Sequence, residues 1–285
     1  MAIAQPGSYA RAMAVAAPPL PFGDLLRGWR QRRRLSQLEL SLESSVSARH
    51  LSFIETGRAT PSRDMVLHLA DQLGVPLRQR NAMLLAAGYA PAYRERALDD
   101  AEMTPVRDAI DRFLRAHEPY PALVCDRCWN IHAANDALQV LLGGVAPDLI
   151  EPPANALRIS LHPEGLAPHI ANFAEWSAHV VERVHSRMVA SGDAALEALH
   201  AELVAYPGVV SSSHVPDSAG FDILVPLRLR HPAGELELLS TVSTFVTASD
   251  ITLAELSIEA FYPANAQTAQ LLLTSTLTGS PLTGS

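Results

Sequence analysis

The sequence predicts two domains of different class, a small all-α domain followed by a larger α+β domain. Three observations carry this. Residues 22–87 fall into five short segments of helical apolar spacing, each bounded by helix-start and helix-stop residues. From residue 106 helical segments mix with short apolar runs and turn residues. The charge also divides. Residues 22–63 carry eight arginines (27, 30, 32, 33, 34, 49, 58 and 63) against four acids (Asp24, Glu39, Glu43 and Glu55), or +4. The whole chain is at −8, which leaves −12 elsewhere. A basic head on an acidic body fits a protein that meets phosphate with one end, or a solvated Arg-rich helix face.

The first helix covers Phe22–Arg33. Ser36-Gln37-Leu38-Glu39 has the spacing of a capping box, in which the serine oxygen and the glutamate satisfy free amides at a helix start. Ser47 caps the third helix and Gly57 ends it. Pro61-Ser62 opens a fourth, with Met65, Val66, Leu69 and Leu73 on one face, and Pro76 starts a fifth that runs to Gly88. Residues 90–105 read as a linker. Beyond it come a helix over 106–117, then strand, turn at Asp126-Arg127 and strand, then a helix from Asn135 to Leu142. Two more helices cover 168–189 and 193–205. The end is β-rich: Phe221–Arg230, Glu235–Val246 and Ile251–Phe261. Residues 1–20, Ala/Pro-rich, and the low-complexity 274–285 read as flexible tails.

Composition excludes several classes. At 285 residues and 48% hydrophobic, the chain can build sizeable cores and is not globally disordered. Its two cysteines, Cys125 and Cys128, rule out a disulfide framework and suit a reducing cytoplasm. No run of about 18 apolar residues exists, so no membrane span is expected.

Two helices joined by a tight turn, Ser36–Glu43 and Ser47–Thr56, suit helix-turn-helix docking, where the second helix lies in the major groove. Leu40, Val46, Leu51 and Ile54 would fill the space between them. Ala48, Arg49, Ser52 and Phe53 are left on the outer face, with His50 flanking. From Leu35 to Pro61 the pattern L-S-Q-x-E-L…V-S-x-x-x-L-S-x-I-E-x-G…P resembles the xenobiotic-response-element (Cro/phage-repressor-like) helix-turn-helix family, whose five helices match 22–87. The resemblance implies double-stranded operator DNA as partner and a homodimer. It implies that Gln37 anchors to phosphate or base, and that Ala48, Arg49 and Phe53 read base edges. Arg49 could bond guanine O6 and N7, while Ala48 and Phe53 offer only apolar contact to thymine methyls. Ser47, Ser52 and Arg58 would serve phosphates, and Arg30 and Glu55 would form an internal ion pair. Ser45 stands where the family usually has a turn glycine. The alternative is a DNA-silent helix-turn-helix used for protein contact.

The segment ALVCDRCWNIHAANDALQVLLGG resembles the opening of a PAS-type sensor domain. With NALRISLHPEGL, ANFAEWSAHVV, LRLRHPAGELELLSTVSTF and FYPANAQTAQLL in that order, residues 106–273 resemble the MmyB-like regulator ligand-binding domain. Where that family has an aromatic-rich segment, Gly208–Ser218 carries serines. The resemblance implies a PAS-like pocket for a small apolar effector such as a fatty acid. Trp129, Leu138, Phe173, Trp176, Val180, Phe221 and Phe261 are candidate lining, or simply core. Asn135, Arg158 and His162 are candidate anchors for an acidic head group.

Other chemistry is set aside. Cys125-x-x-Cys128 lacks a second ligand pair at finger spacing, so no metal is expected, though a redox or metal sensor at these two residues stays open as an alternative. No HExxH, PCxxC or GxSxG motif accompanies the histidines and serines, so no enzyme and no cofactor are expected. The reading is a cytoplasmic transcription regulator that binds DNA through 21–89 and senses an effector through 106–273. The alternative use of the second half is dimerisation or partner binding without a small ligand.

Overall fold

The computed structural model describes residues 20–211, 225–231, 234–245 and 248–278. The chain divides into two compact units, Met1–Ala92 and Tyr93–Ser285.

Among its described residues the first unit contains five helices: α1 (Phe22–Arg32), α2 (Gln37–Ser44), α3 (Ala48–Glu55), α4 (Arg63–Gln72) and α5 (Leu77–Ala86). Their starts follow the capping residues. The Ser36 hydroxyl accepts the Glu39 N–H at 3.1 Å, and the Glu39 carboxylate accepts the Ser36 N–H at 2.7 Å. Ser47 and Ser62 accept from the N–H of His50 and Met65, each at 3.2 Å. Ser45 closes α2 at φ 55°, the left-handed region expected of a glycine turn. Leu26, Trp29, Leu40, Val46, Leu51 and Ile54 pack with Val66, Leu69 and Leu84 in one core. Gly23 lies so close to the end of α3 that a Cβ there would sit 2.6 Å from the Glu55 carbonyl oxygen.

The second unit begins earlier than expected. Residues 93–105 do not form a free linker. The Ile251 N–H donates to the Arg94 carbonyl at 2.8 Å, and Arg96 pairs with Glu102 at 2.6 Å and Asp250 at 2.9 Å. Then follow α6 (Thr104–His117), β1 (Ala122–Cys125), β2 (Ile131–Ala134), α7 (Asp136–Leu141), α8 (Pro147–Ile150), α9 (Ala156–Leu161), α10 (Phe173–Ser191) and α11 (Ala194–Val204). The remainder is β3 (Leu227–His231), β4 (Gly234–Thr244), α12 (Ile251–Glu255), β5 (Ser257–Pro263) and α13 (Ala266–Thr278).

The five strands form one antiparallel sheet in the order β2-β1-β5-β4-β3. One face carries Leu123, Leu227, Leu229, Leu236, Leu238 and Phe261, in one core with Leu161 of α9, Trp176, Val180 and Val184 of α10, and Leu199 of α11. Ile110 and Leu114 of α6 cluster with Ala122 and Val124 of β1.

Three further expectations change. Ile251–Phe261 is not one strand: Asp250 accepts the Thr252 N–H at 3.0 Å and caps a helical turn before β5 starts. Residues 168–189 begin as a 3-10 turn, Ala167–His169, and α10 starts only at Phe173. The closing helix α13 runs to Thr278, so the chain stays helical past the expected boundary at 273. Phe221, most of the Gly208–Ser218 segment, residues 1–19 and residues 279–285 lie outside the described residues.

Candidate functional site

The first candidate surface is the outer face of α3. Leu51, Ile54 and Glu55 are buried, which fixes the helix against the unit's core. Arg49 is exposed, and Ala48, His50, Ser52 and Phe53 are partly exposed. The Arg49 guanidinium lies 5.4 Å from the Phe53 ring centroid, one helical turn away, so the two present a joined aromatic and cationic surface. Ser47 is exposed at the N-cap, and Arg58 is exposed just past the C-terminus of α3.

Part of the arginine excess is spent inside. The Glu55 side chain has no solvent exposure. Its carboxylate accepts Arg30 Nε at 2.6 Å, Arg30 Nη2 at 2.9 Å and Gln37 Nε2 at 2.8 Å. Burial alone would raise this carboxyl, but the Arg30 and Gln37 hydrogen bonds outweigh burial and hold it below the usual carboxylate range. Arg27 donates to the Glu55 carbonyl at 3.1 Å, and Arg33 to the Leu73 carbonyl at 2.8 Å and the Gly74 carbonyl at 3.0 Å. Arg30 and Glu55 thus form the expected internal pair. Gln37 joins it, and the hydrogen bond to Glu55 fixes its amide. Arg32, Arg34, Arg49, Arg58 and Arg63 remain exposed.

The second candidate site is a cavity of about 60 Å³ on the inner face of the sheet. Leu123 and Ile131 come from the sheet, Leu138, Leu141 and Leu142 from α7 and its end, and Leu157 and Ile159 from α9. Trp176, Val180 and Phe261 complete the apolar wall. Three polar residues line it: Ser160, Arg183 and Glu259. The Trp176 indole N–H donates to the Ser160 hydroxyl at 2.8 Å, and Arg183 Nη1 donates to Glu259 Oε1 at 3.0 Å.

Of the sequence-predicted lining, Leu138, Trp176, Val180 and Phe261 meet at the cavity. Trp129 does not line it. It is buried in the left-handed region at φ 62°, with Arg187 at 4.7 Å and Arg183 at 5.8 Å from its ring. Phe173 is half-buried at the start of α10, away from the wall. The three predicted anchors are absent from the cavity too, because each has local work. Asn135 Oδ1 accepts the Ala122 N–H at 2.9 Å and the Leu138 N–H at 3.3 Å, and its Nδ2 donates to the Tyr120 carbonyl at 2.7 Å. Arg158 makes a two-pronged pair with Glu202 at 2.7 and 2.8 Å, and Tyr206 donates to the same carboxylate at 2.6 Å. The His162 ring packs edge-on against Tyr206.

Sequence reasoning missed Ser160, Arg183 and Glu259. A signal existed for two of them. Arg183 shares the face of Trp176 and Val180 at offsets of seven and three, and Glu259 occupies an inward position of alternating β5. Cys125 and Cys128 are free and buried, and burial pushes the Cys125 thiol up to about 11. No group of three or more potential metal ligands occurs among the described residues.

An exposed helix of a capped helix-turn-helix unit, followed by a unit with an apolar cavity, defines a DNA-binding regulator with a ligand-binding-type domain. Comparison with known proteins agrees. Residues 21–83 match the helix-turn-helix domain model, and residues 106–273 match the model of the MmyB-like transcription regulator ligand binding domain. The second match covers more than half of the chain, which belongs to that family. The chain is also 31% identical over 105 residues to the uncharacterized HTH-type transcriptional regulator RghRB of Bacillus subtilis (strain 168), over 36% of this chain and 67% of that one. The protein is a DNA-binding helix-turn-helix transcription regulator. No helix among its described residues is long and apolar enough to cross a membrane.

Proposed function

We propose that this regulator binds operator DNA as a homodimer in the cytoplasm and releases or tightens it in response to a small, mainly apolar effector. Two copies would place their α3 helices about 34 Å apart along one face of the duplex. In each, Arg49 reads guanine while Ala48 and Phe53 meet thymine methyls. Ser47, Ser52 and Arg58 hold phosphates, His50 flanks them, and Gln37 anchors from the start of α2.

The observation that carries the effector reading is the cavity: apolar on most sides, with three polar residues in its lining. The strand order β2-β1-β5-β4-β3, with helices over its inner face, supports a PAS-type sensor architecture. At about 60 Å³ the cavity is smaller than an apolar cavity of roughly 150 Å³ that holds benzene. An elongated fatty-acid chain therefore enters only if the helical wall parts. Such a ligand switches DNA affinity only by the difference in its affinity for the two states.

Native mass spectrometry of the purified full chain, set against its denatured mass, tests this. The expected result is a dimer carrying an extra mass that disappears on denaturation, with operator affinity shifting when the ligand is restored. A ligand-free protein whose DNA affinity responds to no added apolar compound would refute the effector reading. A monomer on operator DNA would refute the dimer.

A further inference from the structure

The turn that leads into α2 is built against the backbone preference of its own residue. Helices α1, α3, α4 and α5 share one ending, in which the residue after the C-cap turns left-handed and two N–H groups reach back to carbonyls of the last turn. At the end of α3, Gly57 and Arg58 donate to the Ile54 and Phe53 carbonyls at 3.1 and 2.8 Å. At the end of α4, Gly74 and Val75 donate to Asp71 and Ala70, each at 2.9 Å. At the end of α5, Gly88 and Tyr89 donate to Leu85 and Leu84 at 3.0 and 2.8 Å. The three glycines stand at φ 71°, 56° and 86°. Helix α1 closes in the same way, with Arg34 and Leu35 donating to Gln31 and Arg30 at 2.9 and 3.1 Å. Here the left-handed residue is Arg34, at φ 57°, where a Cβ crowds the following carbonyl.

Nothing inside the unit compensates for this arginine. Its neighbours Arg32 and Arg33 lie 5.1 and 5.5 Å from the Trp29 ring centroid, and Arg33 ties α1 to the end of α4. Arg34 is exposed, and its side chain makes no hydrogen bond, ion pair or ring contact among the described residues. Its charge adds little to the helix ends. Arg30 and Arg32 already occupy the last turn of α1, and a cation just ahead of α2 is unfavourable. We infer that Arg34 holds a phosphate of the DNA backbone, and that the unit carries backbone strain when free in order to present it. This rests on the docking of α3 proposed above. The position suits the role. Arg30 Nη1 donates to the Leu35 carbonyl at 2.8 Å, while Arg30 and Gln37 both bind Glu55, the last residue of α3. The Arg34 turn is thus held at the end of α3 that exposed Arg58 follows. A guanidinium there meets the sugar–phosphate chain bordering the groove that α3 enters, a contact that positions the protein without reading sequence.

Two readouts on full-length Arg34→Gly should move in opposite directions. Exchange protection of peptides from residues 22–86 should rise about threefold, the relief of the left-handed position less the extra freedom of glycine in the unfolded chain. Affinity for a mixed-sequence duplex of about 30 base pairs at about 0.1 M salt should fall about eightfold, with the salt slope smaller by about 0.9, the loss of one phosphate contact. Arg34→Lys keeps both the charge and the strained backbone, so both readouts should stay within about twofold of the parent. Unchanged DNA affinity in Arg34→Gly, beside a weakened Arg58→Ala, overturns the inference alone. If neither variant weakens DNA binding, the docking of α3 falls with it. A weaker Arg34→Gly with an unaltered salt slope removes the phosphate contact and leaves only a change of turn geometry. Protection that falls in Arg34→Gly shows that the arginine stabilises the unit itself, and overturns the strain.

Discussion

Removing the Glu55 carboxylate should unfold most of what holds the DNA-reading unit together. The side chain has no solvent exposure, and Arg30, its main partner, keeps only 11%. In Glu55→Ala, Arg30 loses both its charged hydrogen bonds and Gln37 loses its acceptor. A buried pair broken from one side costs about 3–5 kcal/mol. A unit of this size holds on the order of 5 kcal/mol in total, so the loss approaches the whole. Hydrogen–deuterium exchange of the full chain, read on peptides from residues 22–86, separates this unit from the other. Protection there should fall by a factor of about 100 or more, while peptides from β4 and β5 keep theirs. The double variant Arg30→Met/Glu55→Leu should recover much of the loss, because an apolar pair leaves no charge unpaired. A Glu55→Ala variant within about 1 kcal/mol of the parent would refute the reasoning. The sign in pH follows from the depressed carboxyl. Its contribution is complete above the ordinary carboxylate range and disappears as pH falls through the lower folded-state value.

Further outcomes follow from single residues. Ser45→Gly, at φ 55°, should raise the urea midpoint of the first unit by up to about 1 kcal/mol of stability, and a fall would show that the serine is not strained. Asp126 titrates at about 2: burial pushes it up, but the His132 ring 3.8 Å away and hydrogen bonds from the Asn130 side chain and the Asn130 and Cys128 N–H groups prevail. The β1–β2 turn should therefore keep its exchange protection down to about pH 4 and lose it progressively toward pH 2, and protection unchanged at pH 2 would contradict this. Cys125 and Cys128 should resist alkylation in native protein at pH 7.5 and react fully once denatured, as followed by mass spectrometry. Arg49→Ala should lose about 1–3 kcal/mol of preference at one base pair. Arg58→Ala should weaken all DNA alike and flatten the salt dependence by about one counterion. Binding titrations on operator and scrambled duplexes at several salt concentrations distinguish the two.

Local chemistry was legible where a residue acts on its own neighbours. The Ser36–Glu39 box, the Ser47 and Asn135 caps, the left-handed Ser45 and the buried Leu40, Val46, Leu51 and Ile54 all lie within one or two turns of what they satisfy. The Arg30–Glu55 pair came from family likeness, since 25 residues separate its members. The cavity was legible only in its apolar half. Arg183 and Glu259 are 76 residues apart, and only the packing of α10 on the inner face of the sheet brings them together. Arg158, His162 and Asn135 carry the right chemistry for anchors but are already engaged by Glu202, Tyr206 and the β1–α7 junction. The short α8 and α9 escaped notice because four to six residues give no resolvable periodicity.

Gly23 sets how α3, the helix proposed to read DNA, is presented. Its missing side chain allows α1 to rest directly on the carbonyls that end α3, with backbone atoms of Ile54 and Glu55 at 2.7 and 2.6 Å from where a Cβ would stand. Backbone cannot yield as a flexible side chain does, so any other residue at this position must push the two helices apart. The tilt of α3, and with it the angle at which the proposed readers Arg49 and Phe53 would approach a base pair, is thus gauged by an absence on α1. On the proposed reading, substitutions at Gly23 would register as altered operator choice with every residue of the outer face of α3 intact.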